Sequence, residues 1–274
     1  GGEGGKPSLA GAGGLLNLGN TCYANSVVQV LRHSKQMEEF IYSAAEAADG
    51  NEAEGAVCKS LYSLMQELRL RDGASAQGAT QDPAAIRPDE FLTAVRSIAP
   101  HFTAFEQQDA HEFLRILTEC LASGGDRSDA LLRGQLVNRT RCLECECVSH
   151  RTEDFVDIGI SVSPSSTSLT HALDVYTRAE LLGGADKVHC ETCRRPTEME
   201  RSVQFGRLPQ LLVFHLERFS HVGGGKLQAP LASPGTITMR DWCATHCPER
   251  EGAYEFYGVV THAGVSSTSG HYVA

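Results

Sequence analysis

Apolar residues recur at helical spacing through the first half of the chain and gather into short runs in the second. After the turn Gly14-Leu-Leu-Asn-Leu-Gly-Asn20, the positions Val27, Val28, Val30 and Leu31 predict a helix that starts near Cys22, with Asn20 or Thr21 as its cap. A second helix is predicted over Met37–Ala48, with Phe40 and Ile41 on its apolar side. A third is predicted over 53–70, where Val57, Leu61, Leu64, Met65 and Leu68 keep the spacing. Pro88-Asp-Glu opens a fourth helix into Phe91, Leu92 and Val95, and Gln107–Ala122 carries Phe113, Leu114, Leu117 and Leu121 on one face.

The pattern then changes. Leu136–Arg139, Phe155–Ser163, Arg201–Phe205, Leu211–Leu216 and Tyr254–Thr261 read as strands, with one short helix at Leu169–Tyr176. Segments 72–82, 123–126, 163–168 and 221–225 read as loops, and residues 1–13 as a disordered N-terminal segment. A helical half followed by a strand-rich half predicts an α+β architecture and not alternating βαβ units.

Composition narrows the function. At 274 residues the chain can bury a large core, and its net charge of −10 disfavours non-specific binding to nucleic acid, including by a zinc ribbon. No apolar run is long enough for a membrane span, and the N-terminus lacks the features of a signal peptide, although Gly1 is not a native start. Ten cysteines without such a signal favour thiols and metal ligands over disulfides, and a chain that is not secreted.

Three groups carry candidate chemistry. Cys22 stands at a predicted helix N-terminus, where unpaired N–H groups and the helix dipole favour a thiolate. On position alone, a core cysteine on a buried helix is the favoured reading. Cys142-Leu-Glu-Cys145 and Cys190-Glu-Thr-Cys193 are matched C-x-x-C pairs, with Glu146 to His189 between them. Four thiolates in two such knuckles make a closed structural zinc site, with no open position for chemistry. Reduced thiols, redox pairs and disulfides are the alternatives, and Cys147 is a nearby competitor to Cys145. The third group is the C-terminal pair His262 and His271, either a base delivered on a strand or two histidines incidental to a hairpin. Gly270 removes a side chain beside His271, which would let a substrate backbone come close.

These stretches resemble one family. Gly14-Leu-Leu-Asn-Leu-Gly-Asn-Thr-Cys22-Tyr resembles the cysteine box of the ubiquitin-specific proteases. Tyr257-Gly-Val-Val-Thr-His262 through Gly270-His271-Tyr272 is similar to their histidine box. Gln107-Gln-Asp-Ala-His-Glu-Phe-Leu114 and Leu211-Leu-Val-Phe-His-Leu-Glu-Arg-Phe219 match two further blocks, and the C-x-x-C pairs fall where that family places its zinc fingers. The resemblance implies a papain-like hand: a helical thumb over 14–122, strand-built fingers over about 130–205 with one four-cysteine zinc, and a palm from the remainder. It implies a deubiquitinating thiol hydrolase with no catalytic cofactor. Cys22 would be the nucleophile, His271 the base and Asn17 the side-chain oxyanion donor. Asp109 and Glu112 would hold the basic tail of ubiquitin, with His262 near that tail.

Gly134–Glu146, Arg151–Phe155, Val259–Val265 and Ser269–Tyr272 are further similar to nuclear members of Fanconi anaemia and DNA-damage-tolerance pathways. That similarity implies a WD40-repeat activating partner on the fingers. It also implies monoubiquitinated substrates, among them the replication sliding clamp and a Fanconi anaemia complex protein, and a nuclear location, with the cytoplasm as the alternative. The family's third catalytic residue, an Asp or Asn, lies downstream of Gly-His-Tyr, and this sequence ends at Ala274. The expectation is therefore a domain truncated after its histidine box, with a weak or inactive ubiquitin-binding module as the competing reading.

Overall fold

The computed structural model describes residues 13–48, 53–76, 85–103, 106–122, 131–218, 225–266 and 269–274. The expected N-terminal segment before residue 13 and the expected loops at 77–82, 123–126 and 221–224 lie outside them. The chain divides into two compact units. One is built from residues 1–126 with 258–264 and 268–274, the other from 127–257 with 265–267. No helix among the described residues is long and apolar enough to cross a membrane.

Among the described residues the first unit holds five helices: α1 (Cys22–Leu31), α2 (Lys35–Ala47), α3 (Ala53–Ala76), α4 (Asp89–Ile98) and α5 (Ala110–Ala122). Val27, Val28 and Leu31 bury the inner face of α1 as their spacing predicts, and Val30 is half-buried. An aromatic cluster forms the centre. Tyr23 meets Phe113 edge-on at 5.2 Å and Phe102 at 5.5 Å, and Phe91 meets Phe113 edge-on at 6.1 Å. Burying each such ring contributes roughly 1.5–3 kcal/mol.

Three boundaries differ from the sequence reading. α2 begins two residues early because the Ser34 hydroxyl accepts the Met37 N–H and fixes its start. α3 runs on through Asp72 and Gly73 to Ala76. Asp72 lies on the helix because its carboxylate pairs with Arg32 at 2.6 Å and accepts the Gly13 N–H. α5 starts at Ala110 and not at Gln107, because Asp109 caps it, its Oδ1 accepting from the N–H groups of His111 and Glu112 at 2.7 and 3.0 Å.

The second unit centres on an antiparallel sheet in the order β2-β1-β7-β4, formed by β1 (Gly134–Cys142), β2 (Val148–Phe155), β4 (Glu180–Leu182) and β7 (Met199–Arg207). β3 (Ile158–Ser161) runs parallel to β8 (Phe214–Glu217), β5 (Val188–Cys190) pairs with β6 (Arg195–Thr197), and β9 (Thr236–Thr238) pairs with β10 (Ala253–Glu255). The expected strand Phe155–Ser163 is divided between the end of β2 and β3. The expected strand Tyr254–Thr261 is likewise broken, because β10 ends at Glu255 and β11 starts at Thr261. α6 (Leu169–Thr177), capped by Ser168, packs Leu169, Ala172 and Leu173 into a core with Leu136, Phe155, Ile160, Phe205 and Trp242. The last elements, β11 (Thr261–Ser266) and β12 (Ser269–Val273), pair with each other.

Candidate active site

The turn that leads into α1 is held from several sides. Leu15 bridges Ile86, with the Leu16 N–H on the Ile86 carbonyl and the Ile86 N–H on the Gly14 carbonyl, both at 2.8 Å. From α1, the Asn25 amide donates to the Leu16 carbonyl at 3.1 Å and the Gln29 amide to the Gly13 carbonyl at 3.1 Å. Gly19 then turns the chain at φ +114°, a conformation that costs a side-chain-bearing residue dearly. Cys22 follows as the first residue of α1 and is buried, 8% exposed.

Thr21 stands at the cap position, yet its side chain makes no capping bond. Its hydroxyl accepts the Leu18 N–H at 3.0 Å and donates to Asn17 Oδ1 at 3.2 Å, while its own N–H also donates to Asn17 Oδ1 at 3.0 Å. A main-chain N–H can only donate, so the Asn17 atom facing it must be the oxygen. The Asn17 NH₂ group is left as an exposed donor five residues before the thiol. Thr21, fully buried, thus serves as the holder of Asn17 and not as the helix cap.

The C-terminal hairpin reaches the same thiol. The Tyr272 N–H, on β12 and 250 residues away in sequence, points at Cys22 Sγ at 3.5 Å. His271 is its immediate neighbour. The side chains of His271 and Tyr272 leave the strand on opposite faces, His271 exposed and Tyr272 half-buried. The Tyr272 ring lies 4.8 Å from that of His262, and its hydroxyl is 3.5 Å from Asp109 Oδ2. Burial and then the Asp109 charge push the Tyr272 hydroxyl up to about 12, so it stays protonated across the neutral range. His262 fills the space above Gly270: a Cβ there would stand 2.1 Å from His262 Nε2. The missing side chain of Gly270 therefore admits the His262 imidazole, where the sequence suggested room for a substrate backbone.

Asp109 carries two structural duties, the cap of α5 and the contact with Tyr272. Glu112, in the first turn of α5, lies 3.2 Å from His101 Nε2, both half-exposed. Asn17, Cys22, Asp109, Glu112, His262 and His271 thus all belong to the first unit. Sequence reasoning missed Gln107 and Tyr272. Gln107 accepts the Gly270 N–H and donates to the Gly270 carbonyl, both at 2.9 Å. Its only sequence signal was its place in the Gln-Gln-Asp block.

In the second unit, Cys142, Cys145, Cys190 and Cys193 converge, their sulfurs all within 4.8 Å of one another. The pairs Cys142–Cys193 and Cys145–Cys190 are 3.9 and 3.6 Å apart, matching the edge of about 3.8 Å that a tetrahedron with Zn–S of about 2.3 Å requires. The two knuckles share a local design. The Cys193 N–H faces Cys190 Sγ at 3.4 Å, and the Cys145 N–H similarly meets the Cys142 sulfur. These main-chain donors hold the first thiol of each knuckle down, Cys142 to about 6 with help from the Thr197 hydroxyl at 3.3 Å. Each knuckle ends on a residue of positive φ, Glu146 at 59° and Arg194 at 54°. The donor set fits one zinc ion, which would tie the end of β1 to the β5–β6 hairpin and take no part in chemistry. Cys147 Sγ lies 3.6 Å from Cys190 but stands outside the mutual cluster, in agreement with the matched-pair reading.

Comparison with known proteins fits this arrangement. The family model described as ubiquitin carboxyl-terminal hydrolase matches residues 13–274. The chain is 30% identical over 298 residues to ubiquitin carboxyl-terminal hydrolase 12 of Salmo salar, covering 95% of this chain and 76% of that protein. It is 25% identical over 279 residues to ubiquitin carboxyl-terminal hydrolase 25 of Arabidopsis thaliana, covering 95% of this chain but 41% of that protein. Among solved structures, the SAGA Ubp8/Sgf11/Sus1/Sgf73 DUB module bound to ubiquitin aldehyde superposes with a TM-score of 0.77 at 22% identity, over 96% of this chain and 61% of that one. The same module with a cysteine-to-alanine variant of Ubp8, bound to monoubiquitin, gives the same score over 60% of its chain. At that identity the likeness establishes the α+β fold, and the chain spans two fifths of the Arabidopsis relative's length and three fifths of the matched structures.

Proposed function

Because the chain belongs to the ubiquitin carboxyl-terminal hydrolase family, we propose that it is a deubiquitinating thiol hydrolase cleaving the isopeptide bond after the C-terminal glycine of ubiquitin. The observation that carries this reading is the meeting of the two ends of the chain at one sulfur, the Tyr272 N–H against Cys22 beside His271. The thiolate of Cys22, at the N-terminus of α1 and facing that N–H, attacks the carbonyl carbon of the glycine. The resulting oxyanion is met by the Asn17 NH₂ group and main-chain N–H donors. His271 takes the thiol proton and gives it to the departing lysine amine, which leaves a thioester. A water deprotonated by His271 then attacks the thioester and releases the ubiquitin carboxylate and the thiol.

Asp109, Glu112 and His262 supply the rim on which the basic tail of ubiquitin lies. The exposed carboxylates favour cationic side chains at the N-terminus of α5, and His262 lines the hairpin beside them. The neighbours solved with ubiquitin aldehyde and monoubiquitin support ubiquitin as the bound partner. On the finer scale, the segments Gly134–Glu146 and Arg151–Phe155, which lie on β1 and the edge strand β2, support a WD40-repeat activating subunit on the fingers. With the hairpin segments, they support a nuclear enzyme acting on monoubiquitinated DNA-repair or replication proteins.

The test is turnover of ubiquitin carrying a fluorogenic C-terminal amide by the zinc-loaded full-length protein. Hydrolysis that disappears in Cys22→Ala and His271→Ala is the expected result. Ubiquitin binding without turnover by the full-length protein would mark a binding module and overturn the assignment.

A further inference from the structure

We propose that Gln107 is a positioning residue for His271, acting through the main chain of Gly270. The inference rests on the assignment of Cys22 and His271 as nucleophile and base. Gln107 closes a two-bond ring with Gly270: its Nε2 donates to the Gly270 carbonyl and its Oε1 accepts the Gly270 N–H, each at 2.9 Å and across 163 residues of sequence. Among side chains, only a primary amide presents a donor and an acceptor side by side in the way a neighbouring strand would. A carboxylate offers acceptors alone, and lysine or arginine donors alone.

The position held this way is the one most in need of it. Gly270 has no side chain to pack, and glycine loses more conformational freedom on folding than any other residue. It immediately precedes the base. On one side Gln107 fixes both of its polar main-chain groups, and above it lies the His262 ring. His262 rests in turn on Tyr272, whose N–H meets Cys22. Gln107 thus sets the plane and register of β12 at the residue before His271, while the Tyr272 contact sets it at the residue after. The His271 imidazole is exposed, and the described residues give its side chain no hydrogen bond, so its approach to Cys22 is set from its two main-chain neighbours. Gln107 and Asp109 stand two residues apart yet do different work, Gln107 holding the histidine strand and Asp109 capping α5 and facing the tail of ubiquitin.

The experiment compares wild type, Gln107→Met and Gln107→Glu in the zinc-loaded full-length protein, with His271→Ala in parallel. Met keeps the length and removes both hydrogen bonds; Glu keeps the acceptor for the Gly270 N–H and removes the donor. Misplacing a reacting group by about 1 Å costs on the order of 10²-fold in rate. The expected result is a fall in kcat of about 10- to 100-fold for Gln107→Met, a smaller fall for Gln107→Glu, and KM and ubiquitin Kd within twofold of wild type. Faster amide exchange at Gly270 in Gln107→Met should accompany it. Wild-type kcat in Gln107→Met, or a loss carried by KM and Kd instead of kcat, would overturn the proposal in favour of no role or of a substrate contact. If Gln107→Met does not fold, an unprotected Gly270 amide in the wild type would overturn it equally. If His271→Ala turns over like wild type, it is the assignment of the base that fails, and protection at Gly270 alone then decides the clamp.

Discussion

At the scale of single residues, the candidate site is built from side chains that do one job so that a neighbour can do another. Thr21 is the clearest case. A threonine at a helix start predicts a cap, but the hydroxyl turns back to hold Asn17 Oδ1, which leaves the amide NH₂ as the donor. Two variants separate these roles. Asn17→Asp keeps an acceptor for the Thr21 N–H and hydroxyl and removes the donor, so kcat should fall by about 10²–10³ with the melting temperature nearly unchanged. Asn17→Ala removes both, and should lose stability as well as kcat. A fully active Asn17→Asp enzyme would remove Asn17 from the oxyanion site.

Tyr23, beside the nucleophile, offers a prediction of opposite sign. Its ring is central to the aromatic cluster, yet its hydroxyl is buried with no hydrogen-bond partner among the described residues. Burial pushes its pKa up, with Arg96 opposing. A buried hydroxyl left unsatisfied costs roughly 1–3 kcal/mol. Tyr23→Phe is therefore expected to leave the protein as stable or more stable in denaturant titration. A loss above about 1 kcal/mol would point to a partner for the hydroxyl.

At the scale of elements, legibility followed locality. Helices α1, α2, α4 and α5 were readable because each buries a continuous apolar stripe, visible within a dozen residues. β2 was not readable, because its residues from Val148 to Asp154 are all exposed and it is held by the ladder to β1 alone. No alternation exists for a sequence to show. The four zinc cysteines were readable because ligand type and spacing are themselves local. Gln107 was not, since its partner is 163 residues away and its own side chain carries no charge or reactivity.

The knuckles carry two predictions of their own. Glu146 and Arg194 occupy the left-handed region, which costs a non-glycine residue roughly 1–2 kcal/mol. Arg194→Gly should stabilise the zinc-loaded protein by about 1 kcal/mol. Glu146→Gly should gain less, because it also gives up the exposed ion pair with Arg141, worth about 0–1 kcal/mol. Thermal unfolding of the holoprotein checks both, and destabilisation by Arg194→Gly would contradict the strain argument. Acid should also release the metal. In the metal-free knuckle the Cys142 thiol is lowered from its ordinary value to about 6, held down first by the Cys145 N–H, so its thiolate is lost as pH falls through about 6. Bound zinc competes with protons for the thiolates, so it should stay bound at pH 7 and leave only on stronger acidification, followed with a chromogenic chelator. Release already at pH 7 would contradict it.

At the scale of the whole molecule, the candidate catalytic residues and the four-cysteine site fall in separate parts of the chain. Cys22, His262, His271 and the acidic start of α5 all fall in one compact unit, although the histidines arrive from the far end of the sequence. The family resemblance implied a helical thumb carrying the cysteine and a palm carrying the histidine. The zinc knuckles, the finger sheet and its exposed edge fall in the other unit. Removing zinc should therefore disorganise the finger strands while leaving the helical unit folded, a separation that far-UV and near-UV spectra of the chelated protein would register.

The central claim is that Cys22 is the nucleophile of a ubiquitin-directed site. It is tested most directly by reacting the zinc-loaded full-length protein with ubiquitin bearing a C-terminal electrophile and mapping the adduct by mass spectrometry. The account predicts one ubiquitin per protein, attached at Cys22 alone and absent from Cys22→Ala. No adduct from a folded protein, or an adduct that persists at another cysteine in Cys22→Ala, would contradict it.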